Sequence, residues 1–250
     1  DLHSFPTRRS SDLHIDDRND LLLRATRAWL SAGRANDAAR TLDALGGPVA
    51  ERQAFEQRLL RAELALLRGD AAMAWREVES LDEPSVPSAA ARYFETRARV
   101  ALAVGRTIEA VRSQIALERA LETTEAREAS RTDLLAGLRE ASERGVKIEP
   151  LATQDRLVRG WLELGPLSAK VARAPSASAP EVEAWLARYP NHPAVTTVRR
   201  ELLGQSPDVA VGAVSHVALL LPLSGRQASA AATVRDGLYE IGRASCRERV

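Results

Sequence analysis

Several features that would point to particular classes of protein are missing from this chain. No apolar run approaches the roughly 20 residues that a membrane-spanning helix needs. Neither sign of charge prevails, since 35 basic residues face 34 acidic ones and are dispersed among them. Nucleic acid is therefore not an expected partner. The sequence also has no Gly-rich phosphate loop or Walker motif, and no two of its four histidines stand at metal-ligand spacing.

The two ends of the chain do not have the pattern of a folded protein. Residues 4–13 read SFPTRRSSDL and residues 241–250 read IGRASCRERV. Both stretches can be translated from sequencing-adapter DNA, once in each orientation. We therefore expect residues 1–13 and 241–250 to be artefacts that take no part in the fold. The single cysteine, Cys246, lies in the second stretch, so the native part offers no disulfide, thiolate metal site or cysteine nucleophile.

If the ends are artefacts, both native ends are truncations. The lack of a signal peptide or of a lipid-attachment cysteine then says nothing about the compartment. The native part, about residues 14–240, is long enough for one or two domains with a real core.

One pattern is written three times at a spacing of 36 residues between Leu22 and Leu117. Each copy is marked by a glycine with an alanine five residues later, at Gly33 and Ala38, Gly69 and Ala74, and Gly105 and Ala110. Glycine suits the point where one helix ends and the chain turns back, and alanine lets the next helix pack closely. The pattern predicts helical hairpins that bury their apolar faces only by stacking, as in a solenoid. The small–Gly–Ala order resembles the tetratricopeptide repeat, although most of its aromatic positions hold other residues.

Helical periodicity continues beyond the third copy of the repeat. We expect the first helix to use Asn19 or Asp20 as its N-terminal cap, and a later helix to stop at Gly165-Pro166. The segment Ala174–Pro180 (APSASAP) is poor in residues that pack and is predicted to be a loop. Together these elements predict a mostly α, tetratricopeptide-like solenoid of stacked hairpins over residues 14–203.

The composition changes after the helical domain. Residues 204–215 are assigned as a linker, and HVALLL at residues 216–221 is typical of a buried parallel strand. A tight loop, Pro222-Leu223-Ser224-Gly225, separates this strand from a helical stretch. Strand, loop and helix make the first half of a β-α-β unit. Residues 216–240 are therefore predicted to begin a truncated α/β domain.

Four short segments, in this order, resemble one known family. They are GWLEL at residues 160–164, Trp185, YPNHP at residues 189–193 and LLLPLSG at residues 219–225. The last resembles the opening of a type I periplasmic-binding-protein domain. The whole order is similar to the LpoA/LppC family of outer-membrane lipoproteins that activate penicillin-binding proteins. In that family a tetratricopeptide-like domain precedes a binding-protein-like domain, and the resemblance covers nearly all of residues 14–240.

The resemblance implies a non-enzymatic regulator of peptidoglycan synthesis, anchored by lipid at the periplasmic face of the outer membrane. Its partner would be a class A penicillin-binding protein, whose transpeptidase it activates, with peptidoglycan as a further candidate partner. The lipid anchor, the only link to a membrane, would lie outside this sequence. The contact with the synthase would lie chiefly in the carboxy-terminal domain, so the activity of this chain alone stays open. The helical domain would act as a stiff spacer, and no cofactor is implied.

Two other classes of function are weighed against this one. The alternative is a periplasmic solute-binding receptor for a small amino-acid-like ligand. In either case Pro222, Leu223, Ser224 and Gly225 form a candidate ligand or partner loop, although the loop could equally cap the following helix. A murein hydrolase or other enzyme is disfavoured because no catalytic constellation is found. Ser224, for example, lacks the flanking glycines of a Gly-x-Ser-x-Gly elbow, and we assign no catalytic, metal or cofactor residue.

His192 and the tryptophans each have a structural and a binding interpretation. His192 stands between two prolines in a predicted turn, where turn geometry is the favoured role and partner contact the alternative. The tryptophans fall on apolar faces of predicted helices, where aromatic side chains usually pack in the core. They are Trp29, Trp75, Trp161 and Trp185.

Overall fold

The computed structural model describes residues 15–47, 50–205 and 233–234. Helices account for most of these residues, and the described part of the chain contains no β-strand. The helices are, in chain order, α1 (Ile15–Ser31), α2 (Ala35–Asp43), α3 (Glu51–Leu67), α4 (Ala71–Glu79), α5 (Pro87–Ala103), α6 (Thr107–Ala120), α7 (Thr124–Glu143), a short 3₁₀ helix (Pro150–Ala152), α8 (Arg156–Arg173), α9 (Pro175–Arg188) and α10 (Val195–Leu203). The molecule is therefore mostly helical, as predicted.

The chain divides into two compact units, Asp1–Pro207 and Asp208–Val250. All of the helices named above belong to the first unit. In the second unit the described residues are Thr233 and Val234, which are helical. The predicted strand, tight loop and most of the predicted linker lie outside the described residues, so the α/β start stays a prediction.

The first three hairpins close by the same turn. Gly33, Gly69 and Gly105 lie just after α1, α3 and α5, with φ of +70°, +79° and +78°. At each turn the N–H of the following residue donates to a carbonyl five residues back at 2.8 Å, from Arg34 to Trp29, from Asp70 to Ala65 and from Arg106 to Ala101. This is the Schellman arrangement, which needs the left-handed backbone that glycine adopts without steric cost.

Within each of these hairpins the second helix packs against the first. Ala38, Ala74 and Ala110, in α2, α4 and α6, are completely buried. A methyl side chain at such positions lets two helix backbones approach closely without leaving a cavity.

The hairpins stack in chain order. Helix α1 packs on α3, α3 on α5 and α5 on α7, so the first helices of successive hairpins form a continuous row. Three hydrophobic clusters result, spanning α1–α3, α3–α6 and α6–α10. Their completely or almost completely buried side chains include Leu60, Tyr93 and Trp161. Each cluster draws on more than one hairpin, as expected where a single hairpin cannot enclose its own core.

The predicted break at Gly165-Pro166 does not occur, and α8 runs through both residues. Gly165 is buried, and a Cβ there would lie 2.6 Å from Ile148 Cδ1 and 3.3 Å from the Leu138 carbonyl oxygen. The Ser168 hydroxyl donates to the Gly165 carbonyl at 2.9 Å. The prediction was wrong because this glycine serves a close approach between α7 and α8, whose packing outweighs the local preference of Gly-Pro for a turn.

The predicted loop Ala174–Pro180 is also wrong, because α9 begins at Pro175. Proline fits the first position of a helix, where its missing N–H would have no intrahelical partner. The Ser178 N–H then donates to the Ala174 carbonyl at 3.1 Å, and Ser178 is buried. Small side chains here allow close helix packing and do not mark a loop.

The first helix begins earlier than predicted, at Ile15, so Asn19 is not its cap. Asn19 is completely buried. Its Nδ2 donates to the Gly46 carbonyl at 3.0 Å, and its Oδ1 accepts from the Gly46 N–H at 3.2 Å. The amide thus fixes the turn after α2 against α1, a long-range role that a local capping rule does not predict.

Candidate interaction surfaces

The loop predicted to touch a ligand or partner, Pro222-Leu223-Ser224-Gly225, lies outside the described residues. Its role stays a prediction. Two other features of the helical unit are candidates for an interaction surface. The first is the aromatic cluster around His192, and the second is the charged face that α1, α3 and α5 share.

His192 lies among aromatic rings from two of the helices. Trp161 of α8, Trp185 of α9 and Tyr189 have ring centroids 5.4, 5.2 and 5.9 Å from that of the imidazole. Each meets it edge-on, an arrangement that aromatic pairs prefer. Gly160 makes room for the ring, since a Cβ there would lie 2.7 Å from His192 Cδ2. The GWLEL and YPNHP segments therefore form one packed cluster.

Both ring nitrogens of His192 are hydrogen-bonded within this cluster. The Ala194 N–H donates to Nδ1 at 3.1 Å, so Nδ1 carries no proton, and Nε2–H donates to the Leu157 carbonyl at 3.0 Å. Burial lowers the pKa of His192 below its usual value, although the bond to Leu157 acts in the opposite direction. The imidazole is thus neutral and structural, as the turn interpretation expects.

Glu163 ties the outer edge of the same cluster together. The Tyr189 hydroxyl donates to its Oε1 at 2.9 Å and Arg188 donates to its Oε2 at 2.7 Å. Burial, followed by the bond to Glu163, raises the pKa of Tyr189. The Trp185 indole N–H donates to the Gly160 carbonyl at 3.0 Å. The Tyr189 hydroxyl, the Arg188 guanidinium and the Trp185 indole N–H thus all donate to α8, and the cluster joins α9 to α8.

The tryptophans mostly have the packing role that was favoured from the sequence. Trp75, Trp161 and Trp185 are buried, and Trp29 is half-buried with the Arg34 guanidinium 4.2 Å from its ring centroid. These indoles therefore form no exposed aromatic patch.

Ion pairs run across the first helices of the three repeats. Arg27 of α1 donates to Glu56 Oε1 of α3 at 2.6 Å, and Arg92 of α5 donates to the same oxygen. Arg92 also reaches Glu63 of α3 at 3.1 Å, and the Thr96 hydroxyl donates to Glu63 at 3.2 Å. Arg92, Glu56 and Glu63 are largely buried, so water screens these pairs less than fully exposed ones.

Sequence reasoning missed these pairs, although the signal is present in the repeat. Asp20, Glu56 and Arg92 occupy one column of the 36-residue pattern, and Arg27, Glu63 and Arg99 occupy another. Charge occurs in every copy of both columns. Its sign changes at the third copy in the first column and alternates from copy to copy in the second. Such columns on the facing helices of stacked hairpins predict ion pairs between hairpins.

The described residues offer no obvious metal or membrane site. No group of three or more His, Cys, Asp or Glu among them is placed to hold a metal ion. Within residues 15–47 and 50–205, no helix combines the length and apolar character needed to cross a membrane. Asp20, on the charged face, is hydrogen-bonded by Gln53 and by Arg52, and these contacts lower its pKa. It is therefore a stably ionised, paired carboxylate.

Solved structures with a similar fold include an isolated domain and a full-length chain of LpoA from Haemophilus influenzae. The LpoA N-terminal domain from Haemophilus influenzae matches with a TM-score of 0.57 and 25% identity, over 76% of this chain and 86% of that one. Full-length Haemophilus influenzae LpoA matches with a TM-score of 0.56 and 25% identity, over 90% of this chain and 41% of that one. The helical unit therefore has the fold of these N-terminal domains.

Curated relatives match over most of this chain. The penicillin-binding protein activator LpoA of Dickeya chrysanthemi (strain Ech1591) is 29% identical, over 95% of this chain and 35% of its own length. The protein of the same name from Edwardsiella piscicida is 31% identical, over 90% of this chain and 32% of its own length. The chain thus spans about a third of the length of these relatives.

A family model covers almost all of the sequence. The model of the LppC lipoprotein matches residues 7–246, which includes parts of both terminal stretches assigned above to adapter DNA. The match confirms the resemblance inferred from the GWLEL, YPNHP and LLLPLSG segments. The chain belongs to the LppC lipoprotein family.

Proposed function

We propose that this chain is the helical part of a non-enzymatic regulator of peptidoglycan synthesis. The regulator binds a class A penicillin-binding protein and stimulates its transpeptidase. The observation that carries the proposal is the similarity of the helical array to the LpoA N-terminal domain, of which it covers 86%. The names of the curated relatives, penicillin-binding protein activators, agree with it.

The proposal includes a place in the cell envelope. As the family name supports, the protein is a lipoprotein, and we place it at the periplasmic face of the outer membrane. The stacked hairpins then serve as a stiff arm between the lipid anchor and the domain that meets the synthase. Shared hydrophobic clusters and the ion pairs of Glu56 and Glu63 join neighbouring hairpins. Such junctions resist bending better than a flexible linker would.

A regulator of this kind acts only through differential binding. It can raise transpeptidation by binding the active conformation of the synthase more tightly than the inactive one. A tenfold shift between the two conformations requires a difference of about 1.4 kcal/mol in binding free energy. One well-placed hydrogen-bonded contact to a charged group is of this size.

The direct test uses the protein encoded by the whole reading frame, with a purified class A penicillin-binding protein and its lipid-linked substrate. Cross-linked muropeptides are then measured by chromatography. We expect the cross-linked fraction to rise with the full protein, and a matched protein lacking residues 15–205 tests the contribution of the helical arm.

A folded full-length protein that leaves cross-linking unchanged would contradict the proposal. If free amino acids raised its melting temperature in the same preparations, the result would favour the solute-binding receptor instead.

A further inference from the structure

A groove on the charged face of the helical unit is not explained by the proposed function. It lies over α1, α3 and the start of α5 and has a volume of about 460 Å³. This is within the range of pockets that bind small ligands. Its walls carry charged side chains, and its floor is apolar.

The two carboxylates on the walls, Asp20 and Glu56, already accept hydrogen bonds from side chains of the groove. Asp20 accepts from Arg52 at 2.8 and 3.1 Å, and from Gln53 at 2.8 Å. Glu56 accepts from Arg27 and Arg92, as described above. Both carboxylates are therefore already paired with cations of the groove, although Glu56 Oε2 keeps acceptor capacity.

The guanidinium groups on the walls, in contrast, keep N–H donors that have no acceptor within the groove. Arg24 lines the groove, is exposed, and makes no hydrogen bond or salt bridge among the described residues, although its charge acts on Asp20. The Arg27 and Arg52 side chains are 52% and 79% exposed, so each keeps N–H groups directed to solvent. With Arg92, four guanidinium groups line the groove, and their carboxylate partners are Asp20, Glu56 and, beyond the groove, Glu63, which leaves one cation in excess. The groove thus has a surplus of positive charge and of donors, which a ligand with carboxylates would complement.

The floor adds a preference for a ligand that has apolar parts. Leu23 and Leu59 are buried beneath the groove, and Phe55 is half-buried. Val86, at the edge, is 57% exposed although its side chain is apolar. Covering this surface gains free energy only if the ligand brings apolar groups of its own. An inorganic anion would leave Val86 and the exposed part of Phe55 in contact with water.

We infer that the groove binds an extended acidic peptide segment of a protein partner. A carboxylate of the peptide pairs with Arg24, and small apolar side chains cover Val86 and Phe55. This inference concerns the helical unit alone. It goes beyond the proposed function and does not depend on it.

The test measures binding of fluorescein-labelled peptides to the 250-residue chain by fluorescence polarisation. The probe alternates alanine and glutamate over eight residues, and matched peptides carry glutamine or lysine in place of glutamate. The key variant is Arg24→Gln. Its matched control is Arg112→Gln, since Arg112 is an exposed arginine of α6 outside the groove and without a partner among the described residues. We expect the Kd for the acidic peptide to rise about tenfold with Arg24→Gln and to stay unchanged with Arg112→Gln.

A second variant, Val86→Asp, tests the floor. Val86 is the N-terminal cap residue of α5, where aspartate is favoured, so the helix should fold at least as well. The new carboxylate should repel the acidic peptide and weaken its binding several-fold, while the melting temperature does not fall. Unchanged binding by Val86→Asp would overturn the role of the floor.

Three other results would overturn the inference. The first is equal binding of the acidic, neutral and basic peptides, and the second is a Kd that Arg24→Gln does not change. The third is displacement of the peptide by inorganic phosphate at the concentration at which unlabelled peptide displaces it. That result would assign the groove to simple anions.

Discussion

Replacing Gly160 by alanine should destabilise the helical unit, although glycine-to-alanine changes inside helices usually stabilise by about 1 kcal/mol. The new Cβ would lie 2.7 Å from both Cδ2 and Nε2 of His192, closer than carbon atoms can approach without movement. The ring cannot move away freely, because it holds the Leu157 carbonyl and the Ala194 N–H. Overpacking costs about 1–3 kcal/mol, and each buried group left unpaired costs a similar amount.

The net expectation is a loss of about 2 kcal/mol or more in the free energy of unfolding, after the helix-propensity gain is subtracted. For a unit of this size that corresponds to a melting temperature lower by about 4–8 °C. Circular dichroism follows the helices during heating or urea titration. Tryptophan fluorescence follows the cluster itself, since Trp161 and Trp185 both border the imidazole.

The matched control is Gly137→Ala in α7. A Cβ there would lie 2.5 Å from Leu102 Cδ1, the far end of a half-buried and flexible side chain that can rotate away. This variant should be as stable as the wild type or slightly more stable. If Gly160→Ala melts at or above the temperature of Gly137→Ala, the idea of a rigidly held His192 is refuted. A further check is His192→Ala, in whose background Gly160→Ala should cost little.

Three further predictions concern the turns, the ion pairs and the pH dependence. Gly69→Ala should lower the free energy of unfolding by about 1 kcal/mol, because φ at this position is +79° and the added Cβ itself would meet nothing within 4 Å. Gly69→Asn should cost less, since asparagine tolerates the left-handed backbone better than alanine. Equal losses for the two variants in thermal melts would contradict a backbone origin. Glu56→Gln removes the anion between Arg27 and Arg92 and should cost about 1 kcal/mol in urea titrations, less at high salt; an effect independent of salt would contradict the electrostatic cause. Because burial lowers the pKa of His192 below its ordinary 6.5, its contribution to stability is present above that pH and is lost as the pH falls through the folded-state pKa. Stability measured over this range should therefore fall less in His192→Gln than in the wild type, and parallel profiles would argue against His192 as the source.

The sequence was informative where one residue decides the local structure. A positive φ is a property of a single position, so the glycines repeated every 36 residues were enough to predict the turns after α1, α3 and α5. The cap of α4 is equally local, since the Asp70 carboxylate accepts from the Met73 N–H, three residues away, at 2.9 Å. Such features need no knowledge of what packs nearby.

The sequence was misleading where a distant partner decides. Gly165 follows the pattern of a helix end, but Ile148 and the Leu138 carbonyl fill the space that a side chain would need. Asn19 has the pattern of a cap, but its amide is bonded to Gly46. A rule based on neighbours in sequence cannot include contacts between helices.

The candidate surfaces also combine features that the local sequence predicts with features that depend on distant contacts. The YPNHP and GWLEL segments could be recognised as short patterns, but their packing around His192 depends on the orientation of α9 on α8. The groove needed the structure as well, because Arg24 and Arg52 look alike in sequence. Only their contacts show that Arg52 forms a salt bridge with Asp20 and that Arg24 forms none among the described residues.

The charges along α1, α3 and α5 also favour some contacts between hairpins over others. Arg27 of the first hairpin meets Glu56 of the second, and Glu63 of the second meets Arg92 of the third. If the third hairpin docked directly on the first, Arg27 would face Arg92 and the two cations would repel each other. Chains built from similar repeats are prone to misassembly between non-consecutive units. Here the repulsion between Arg27 and Arg92 opposes that error, and the pairs made by Glu56 and Glu63 favour contact between consecutive hairpins.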